Sequence, residues 1–429
     1  MAQMIIPPKK KKKINSIAVS LYIYWLVLVI WQNFFSYDKD SNLSMLIKMG
    51  LLIYLCWCFI RGDPGVKSSR FILWSVFAVF CMLSMLISGE SFLGGNMIFY
   101  LFPMIFSLLT MVIRADYTID RKQFLLFLRL VILTVSYMAI YCVISQWTRF
   151  VYFFKLTKAY GYEISSFLSS NHEYGMYLVF GITSVIFCYQ NTDSIPKHII
   201  YVLLLALFGV NLILTLSRTS YMAGAVIILV FVMTSKAVGT RRWFIFAVVV
   251  FVILIFALPN GTDFFEKILL KENNDAGRIE MWDSALDKFR EGNLLHRLFG
   301  YGNSEIYQFT KENFRHASVH NTYLQVLLVW GAIGFVFIIS ATVCSMISAL
   351  RLFRYDRNLA AVFFALVLSQ IAFMFTNTAC LFQSVIDSYM LTVFSLVVPK
   401  YVFNAIIEGK YYPEKNTDTS LPQPQALTL

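Results

Sequence analysis

The sequence has 429 residues, of which 58% are hydrophobic and only 14% charged, and its net charge is +12. With a mean hydropathy of +0.66, this composition excludes both a soluble globular class and a disordered one. The positive charge does not point to nucleic acid, because it gathers in short turns between long apolar runs.

In chain order, Lys9–Lys13 precede a first apolar run at about 14–35. That run is too long and too poorly flanked for a cleaved signal peptide, so a retained first helix is expected. Further runs follow at about 43–60, 71–88, 96–113, 124–147, 174–190, 198–216, 219–235, 242–258, 320–349, 359–376 and 384–400. The expected fold is all-α: a polytopic membrane helix bundle of about twelve spans. Basic residues collect in alternate turns, among them Lys9–Lys13, Arg61, Lys67, Arg114, Lys122, Arg241, Arg242, Arg351 and Arg354. By the positive-inside rule both termini are then cytoplasmic and the long polar segment is extracytoplasmic. The expected organisation is residues 1–258 as spans one to nine, 259–319 as the outer loop, 320–400 as spans ten to twelve, and 401–429 as a cytoplasmic tail. All seven cysteines fall in apolar runs and read as small core residues.

The outer loop is the largest departure from membrane patterning. It holds eight basic and ten acidic residues, so an anion there must be gripped by particular arginines and not by a general field. Ile279, Trp282, Leu286 and Phe289 recur at helical spacing, which predicts an amphipathic helix that lies on the membrane or caps the bundle. Gly300 and Gly302 allow a tight bend in Leu-Phe-Gly-Tyr-Gly, and a second helix is expected over about Glu305–Phe314, leading to His316 and His320.

Each candidate for chemistry has a functional and a bland reading. His320, at the mouth of a membrane helix, is a general base or an interfacial cap; eleven positions on, Gly331 would share its helical face. Arg218, between two apolar runs, either grips an anion such as a pyrophosphate or snorkels from a tight turn. Arg278 follows Gly277 at the start of the loop helix, where it presents its guanidinium to a phosphate or to solvent. Arg290 and Arg297 carry the same two readings. Asn171-His172-Glu173 is either a cavity-lining polar cluster or an ordinary helix start. No metal or nucleotide motif is present, so neither a metal nor a cofactor is expected; Asp38 and Asp40 are assigned to solvent. A transporter or flippase without catalysis is the alternative class, but two related halves with broken mid-membrane helices are not evident.

His320-Asn321 followed by Gly331-Ala-Ile-Gly334, the preceding outer loop, Leu-Thr-Leu-Ser-Arg-Thr-Ser within Asn211–Ser220, Gly277-Arg278 with Trp282, and Leu298–Gly302 together resemble the O-antigen ligase and O-antigen polymerase (Wzy-like) membrane family. The resemblance covers about 210 to 340. It implies a GT-C-like bundle and a metal-independent, inverting glycan transfer from an undecaprenyl-pyrophosphate-linked donor at the outer face of the cytoplasmic membrane. His320 would deprotonate the acceptor hydroxyl, Arg218 and Arg278 would hold the leaving pyrophosphate, and Asn321 would orient. Arg290, Arg297 and His172 would help bind substrate. Family ligases often carry leucine four positions beyond each arginine; here those positions are Met222 and Trp282, which favours polymerase over ligase. Implied partners are the lipid-linked glycan as donor and acceptor, membrane lipid, and a chain-length regulator and flippase, with no nucleic acid.

Overall fold

A computed structural model describes residues 69–90, 121–155, 163–234 (save 169), 277–316, 318–377 and 393–409, with scattered positions elsewhere including Tyr411. Among the described residues the regular structure is helical, with no strand. The runs expected at 14–35 and 242–258, most of those at 43–60 and 96–113, and 384–392 of the last run lie outside the described residues.

The helices are α1 (Ser69–Ile87), α2 (Arg121–Ser145), α3 (Trp147–Lys155), α4 (Asn171–Gln190), α5 (Ile195–Leu214), α6 (Arg218–Thr234), α7 (Arg278–Glu291), α8 (Leu294–Phe299), α9 (Asn303–Phe314), α10 (Thr322–Leu352), α11 (Arg357–Thr376) and α12 (Val398–Ile407), the last preceded by a π turn. Five of them, α1, α2 from Phe124, α5, α10 and α11, are long and apolar enough to cross a membrane. The central helix α4 is not among them, although it has 20 residues. It packs against α2, α5, α6 and α11, so it faces protein and not lipid, and small or polar residues such as Gly175, Gly181, Thr183 and Ser184 serve it well. A Cβ on Gly175 would come within 1.9 Å of Ser220 Oγ, which shows how closely α6 approaches. The last helix runs beyond the expected boundary at 400: Tyr401, Val402, Ala405 and Ile406 are buried, so the start of the supposed tail belongs to the bundle.

Helix lengths set the levels across the bundle. α11 has 20 residues and so rises ~30 Å, about one hydrocarbon core. It runs beside α6: Arg357 Nη2 donates to Met233 O at one end (3.5 Å), and Thr376 Oγ1 donates to Thr219 Oγ1 at the other (2.8 Å). α10 has 31 residues, worth ~46 Å. Yet its start is level with the far end of α11, where Thr322 Oγ1 donates to Asn377 O at 2.7 Å. The surplus of ~16 Å therefore runs sideways. The helix changes direction at Gly331, whose φ of 66° and ψ of −170° are not helical. Gly331–Leu352 then spans ~33 Å, matching α11, and Thr322–Trp330 runs across the end of α11.

The break is filled by the loop that follows α8. Tyr301 N donates to Leu328 O (2.8 Å) and Gly302 N to Val329 O (3.2 Å), taking up carbonyls that the broken helix no longer uses. A Cβ on Gly331 would meet Leu298 C and O at 2.4 Å, and one on Gly300 would meet Val329 O at 2.2 Å. The expectation that Gly331 shares a helical face with His320 is therefore corrected: the helix starts at Thr322 and breaks at Gly331, so no continuous wheel joins the two. Phe299 stacks on Phe80 of α1 (5.7 Å), and its carbonyl accepts from Ser84 Oγ at 2.6 Å. Ser84→Ala would strand that carbonyl and is expected to cost about 1–2 kcal/mol, read as a lower thermal midpoint of the purified protein. At the other end of α1, Arg70 is buried and donates to Ala341 O (3.2 Å) and Ser345 Oγ (2.8 Å), so α1 runs antiparallel to α10.

The cap helix α7 packs on α10. Its buried positions are Met281 and Ala285, while Ile279 is 55% exposed. The buried stripe is thus rotated from the one periodicity suggested, because small Ala285 lets α7 lie close while Trp282 and Phe289 cover the flank.

Candidate functional site

Arg218 opens α6 after a turn in which Leu216 has a φ of 51°. The turn is locked from α4 and from within. Asn171 Nδ2 donates to Thr215 O (2.8 Å), Ile164 N donates to Leu214 O (3.2 Å), and His172 Nδ1 lies 2.7 Å from Ser217 Oγ. Ser217 Oγ already accepts from Ser220 Oγ (2.8 Å) and Ser220 N (3.3 Å). With both acceptor positions of Ser217 Oγ so used, its own hydrogen is free to be donated to His172 Nδ1, an arrangement that a neutral His172 meets as the Nε2–H tautomer. Because Thr219 is tied to Thr376, Arg218 stands level with the C-terminal end of α11, an apolar helix long enough to cross a membrane, and not at its middle. There a half-buried guanidinium is far less costly than in the hydrocarbon centre.

Arg278 is the first residue of α7, after Gly277 at a φ of 71° with no side-chain cap. The same helix supplies Trp282, whose Nε1 donates to Val319 O at 3.0 Å and whose ring meets Phe375 edge-on. Gln325 Oε1 of α10 accepts from Val319 N at 3.2 Å. Val319 is therefore clamped on both backbone groups, and His320 follows it with a φ of 52°, a left-handed conformation that few non-glycine residues adopt. Asn321 then caps α10, its Oδ1 accepting from Leu324 N at 3.1 Å.

The site is dense in positive charge. His320 Nε2 lies 3.4 Å from His316 Nδ1, with the rings edge-on. Burial, then Arg278, His316 and His172, lower the His320 pKa to about 4. Burial and then Arg218 lower that of Arg278. These influences link Arg218 to Arg278, and Arg278 and His172 to His320. Arg290 and Arg297 are not among them. Arg290 is exposed and pairs with Asp287 (3.1 Å), and Arg297 Nη2 donates to Arg290 O. His316 and Ser217 were missed as partners. The i, i+4 spacing of His316 and His320 reads as helical, but α9 ends at Phe314 and Arg315 turns left-handed at a φ of 58°.

Such a group suits an anion: the Arg278 guanidinium at a helix N-terminus, coupled to Arg218, and two further histidines influence a half-buried imidazole whose pKa of about 4 keeps it neutral at physiological pH. Among the described residues there is no cluster of three or more His, Cys, Asp or Glu that could hold a metal. The charge coupling has a direct check. A neutral imidazole reacts with diethyl pyrocarbonate, so modification of His320, followed by mass spectrometry, should persist as pH falls from 7 to about 5 and fade only near 4. Arg278→Gln removes the largest of the neighbouring charges that lower this pKa and should move the fade upward, toward the ordinary histidine value.

The family model described as O-antigen ligase matches residues 203–339, a segment that contains Arg218, Arg278, His320 and Asn321 and stops short of α11. A search of curated proteins finds no match.

Proposed function

We propose, from the O-antigen ligase- or polymerase-like family that residues 203–339 support, that this membrane protein polymerises undecaprenyl-pyrophosphate-linked oligosaccharide repeat units into a surface polysaccharide at the outer face of the cytoplasmic membrane. The observation that supports the proposal is the electrostatic coupling of Arg218 to Arg278 and of Arg278 to His320, with Thr219 and Thr322 both bonded at the C-terminal end of α11, the level at which a lipid-borne pyrophosphate would ride.

In the proposed step the acceptor sugar hydroxyl gives its proton to His320 Nε2 or Nδ1 as its oxygen attacks the anomeric carbon of the donor. The bond from that carbon to the pyrophosphate oxygen breaks, and lipid pyrophosphate leaves with the electron pair. Arg218 and Arg278 stabilise the charge that develops on the leaving group. An anion beside Arg278 also offsets the charges that depress His320, so donor binding makes the imidazole a better base when it is needed. His172, set as an Nε2–H donor by Ser217, would bind a sugar or phosphate oxygen, and Asn321 would contribute its amide nitrogen.

The family description favours a second reading, in which finished glycan passes to a different acceptor. Purified protein in vesicles with lipid-linked repeat units as sole substrate separates the two. A ladder of products one repeat apart supports polymerisation; no extension until a second acceptor is added, followed by one addition per acceptor, supports ligation and removes the first reading.

A further inference from the structure

α8 has six residues, Leu-Leu-His-Arg-Leu-Phe, and it occupies a defined depth. Its C-terminal end is wedged at the Gly331 break, with Leu298 backbone against Gly331 and Gly300 N donating to His296 O at 2.8 Å. Two independent markers put that break at the membrane margin. Along α10, the uncharged stretch from Gly331 to Arg351 is ~30 Å, one hydrocarbon thickness. Along α1, Ser84 bonds Phe299 O about one turn from the end of a 19-residue span. The lipid-exposed face of α1 reaches the same level, with Leu83 48%, Leu86 70% and Ile87 43% exposed.

At this depth α8 turns Leu294 (71% exposed) and Leu295 (55% exposed) away from the protein, although Leu298 and Phe299 on the same short helix are partly buried. Two adjacent exposed leucines standing in water would be unfavourable. Exposed Arg290 and Arg297 lie beside them, joined through Arg297 Nη2 and Arg290 O. An apolar pair flanked by arginines at a membrane margin matches a phospholipid leaflet, whose acyl chains lie beneath a layer of phosphates.

We propose that α8 is an interfacial anchor: Leu294 and Leu295 insert into the leaflet on the side of the site, and Arg290 and Arg297 meet its headgroup phosphates. The anchor holds the loop that fills the Gly331 break, and through α7 it fixes the height of Arg278 above the membrane. The inference needs only the level of the margin and the exposure of these residues, so it stands or falls apart from the catalytic reading.

The test places the photocrosslinker p-benzoylphenylalanine at Leu295, or as a control at exposed Asp283 on the face of α7 opposite Met281 and Ala285. The full-length protein is held one copy per nanodisc, with phosphatidylethanolamine and phosphatidylglycerol as the only lipids. On irradiation, mass spectrometry should find phospholipid adducts at position 295 on the order of tenfold above those at 283. Equal low yields at both positions would overturn the proposal, because α8 would then face water. Crosslinks from position 295 to another segment of the chain, in place of lipid, would overturn it as well. If copies crosslink to each other when discs hold two, while single-copy discs give no lipid adduct, the surface is a subunit contact and the proposal fails.

Discussion

Replacing His320 by asparagine is expected to lower glycosyl transfer by about 10²–10⁴-fold, the usual worth of a general base, while leaving the bundle folded. Asparagine is the better probe than alanine because residue 320 sits at a φ of 52°, which asparagine tolerates and alanine resists by about 1 kcal/mol. The side chain is half-buried and its hydrogen-bond partner is His316 at 3.4 Å, so little packing is lost. The measurement is turnover of lipid-linked donor by purified protein, beside its thermal midpoint. The pH profile adds a second readout. With a free-protein pKa of about 4, the acid limb of kcat/KM should lie near that value, well below an ordinary histidine. The limb in kcat should lie higher, because bound pyrophosphate offsets the Arg278 charge. A kcat/KM limb near 6.5 would mean that His320 does not feel those neighbours.

The second large effect is structural. Gly331→Ala is expected to cost about 2–5 kcal/mol and to abolish activity, by adding left-handed strain to a backbone clash. A Cβ there meets Leu298 C and O at 2.4 Å and Gly300 N at 2.7 Å. No rotamer relieves this, since the atoms struck are main chain. The loop of residues 300–302 would be pushed off the carbonyls of Leu328 and Val329, and those carbonyls would lose their donors at the membrane margin. The thermal midpoint should fall by many degrees and limited proteolysis should cut between α8 and α9. Gly209→Ala is the control, because nothing lies within 4 Å of a Cβ there and its φ is not positive.

The helical spans were legible as apolar runs. α1, α2, α5 and α10 carry them along faces that are half or more open, where lipid selects against polar residues, and α11 carries one although two-thirds of it is buried among helices. α4 was found as a run but not as the centre of the bundle, because burial among helices leaves no distinct period. Arg218 and His320 stood out as polar residues beside apolar runs and Arg278 as the start of the loop helix, and electrostatic coupling links Arg218 to Arg278 and Arg278 to His320. What joins them was not readable. The His320–Gly331 relation assumed a continuous helix, and only tertiary pairing with Tyr301 and Gly302 shows that the helix breaks. Ile279 looked like core by spacing, but helix–helix distance, set by Ala285, chose a different face. α8 is too short for periodicity to register, and Arg290 and Arg297 were grouped with the site on charge alone.

A single inverting displacement carried by arginines and a histidine would leave its mark on the anomeric configuration and stoichiometry of products made by the reconstituted protein in EDTA. Each new glycosidic bond should have the configuration opposite to the donor's sugar–phosphate bond. One undecaprenyl pyrophosphate should be released per bond, at an unchanged rate in the chelator. Retained configuration, a glycan left covalently on the protein, or dependence on a divalent metal would contradict that mechanism.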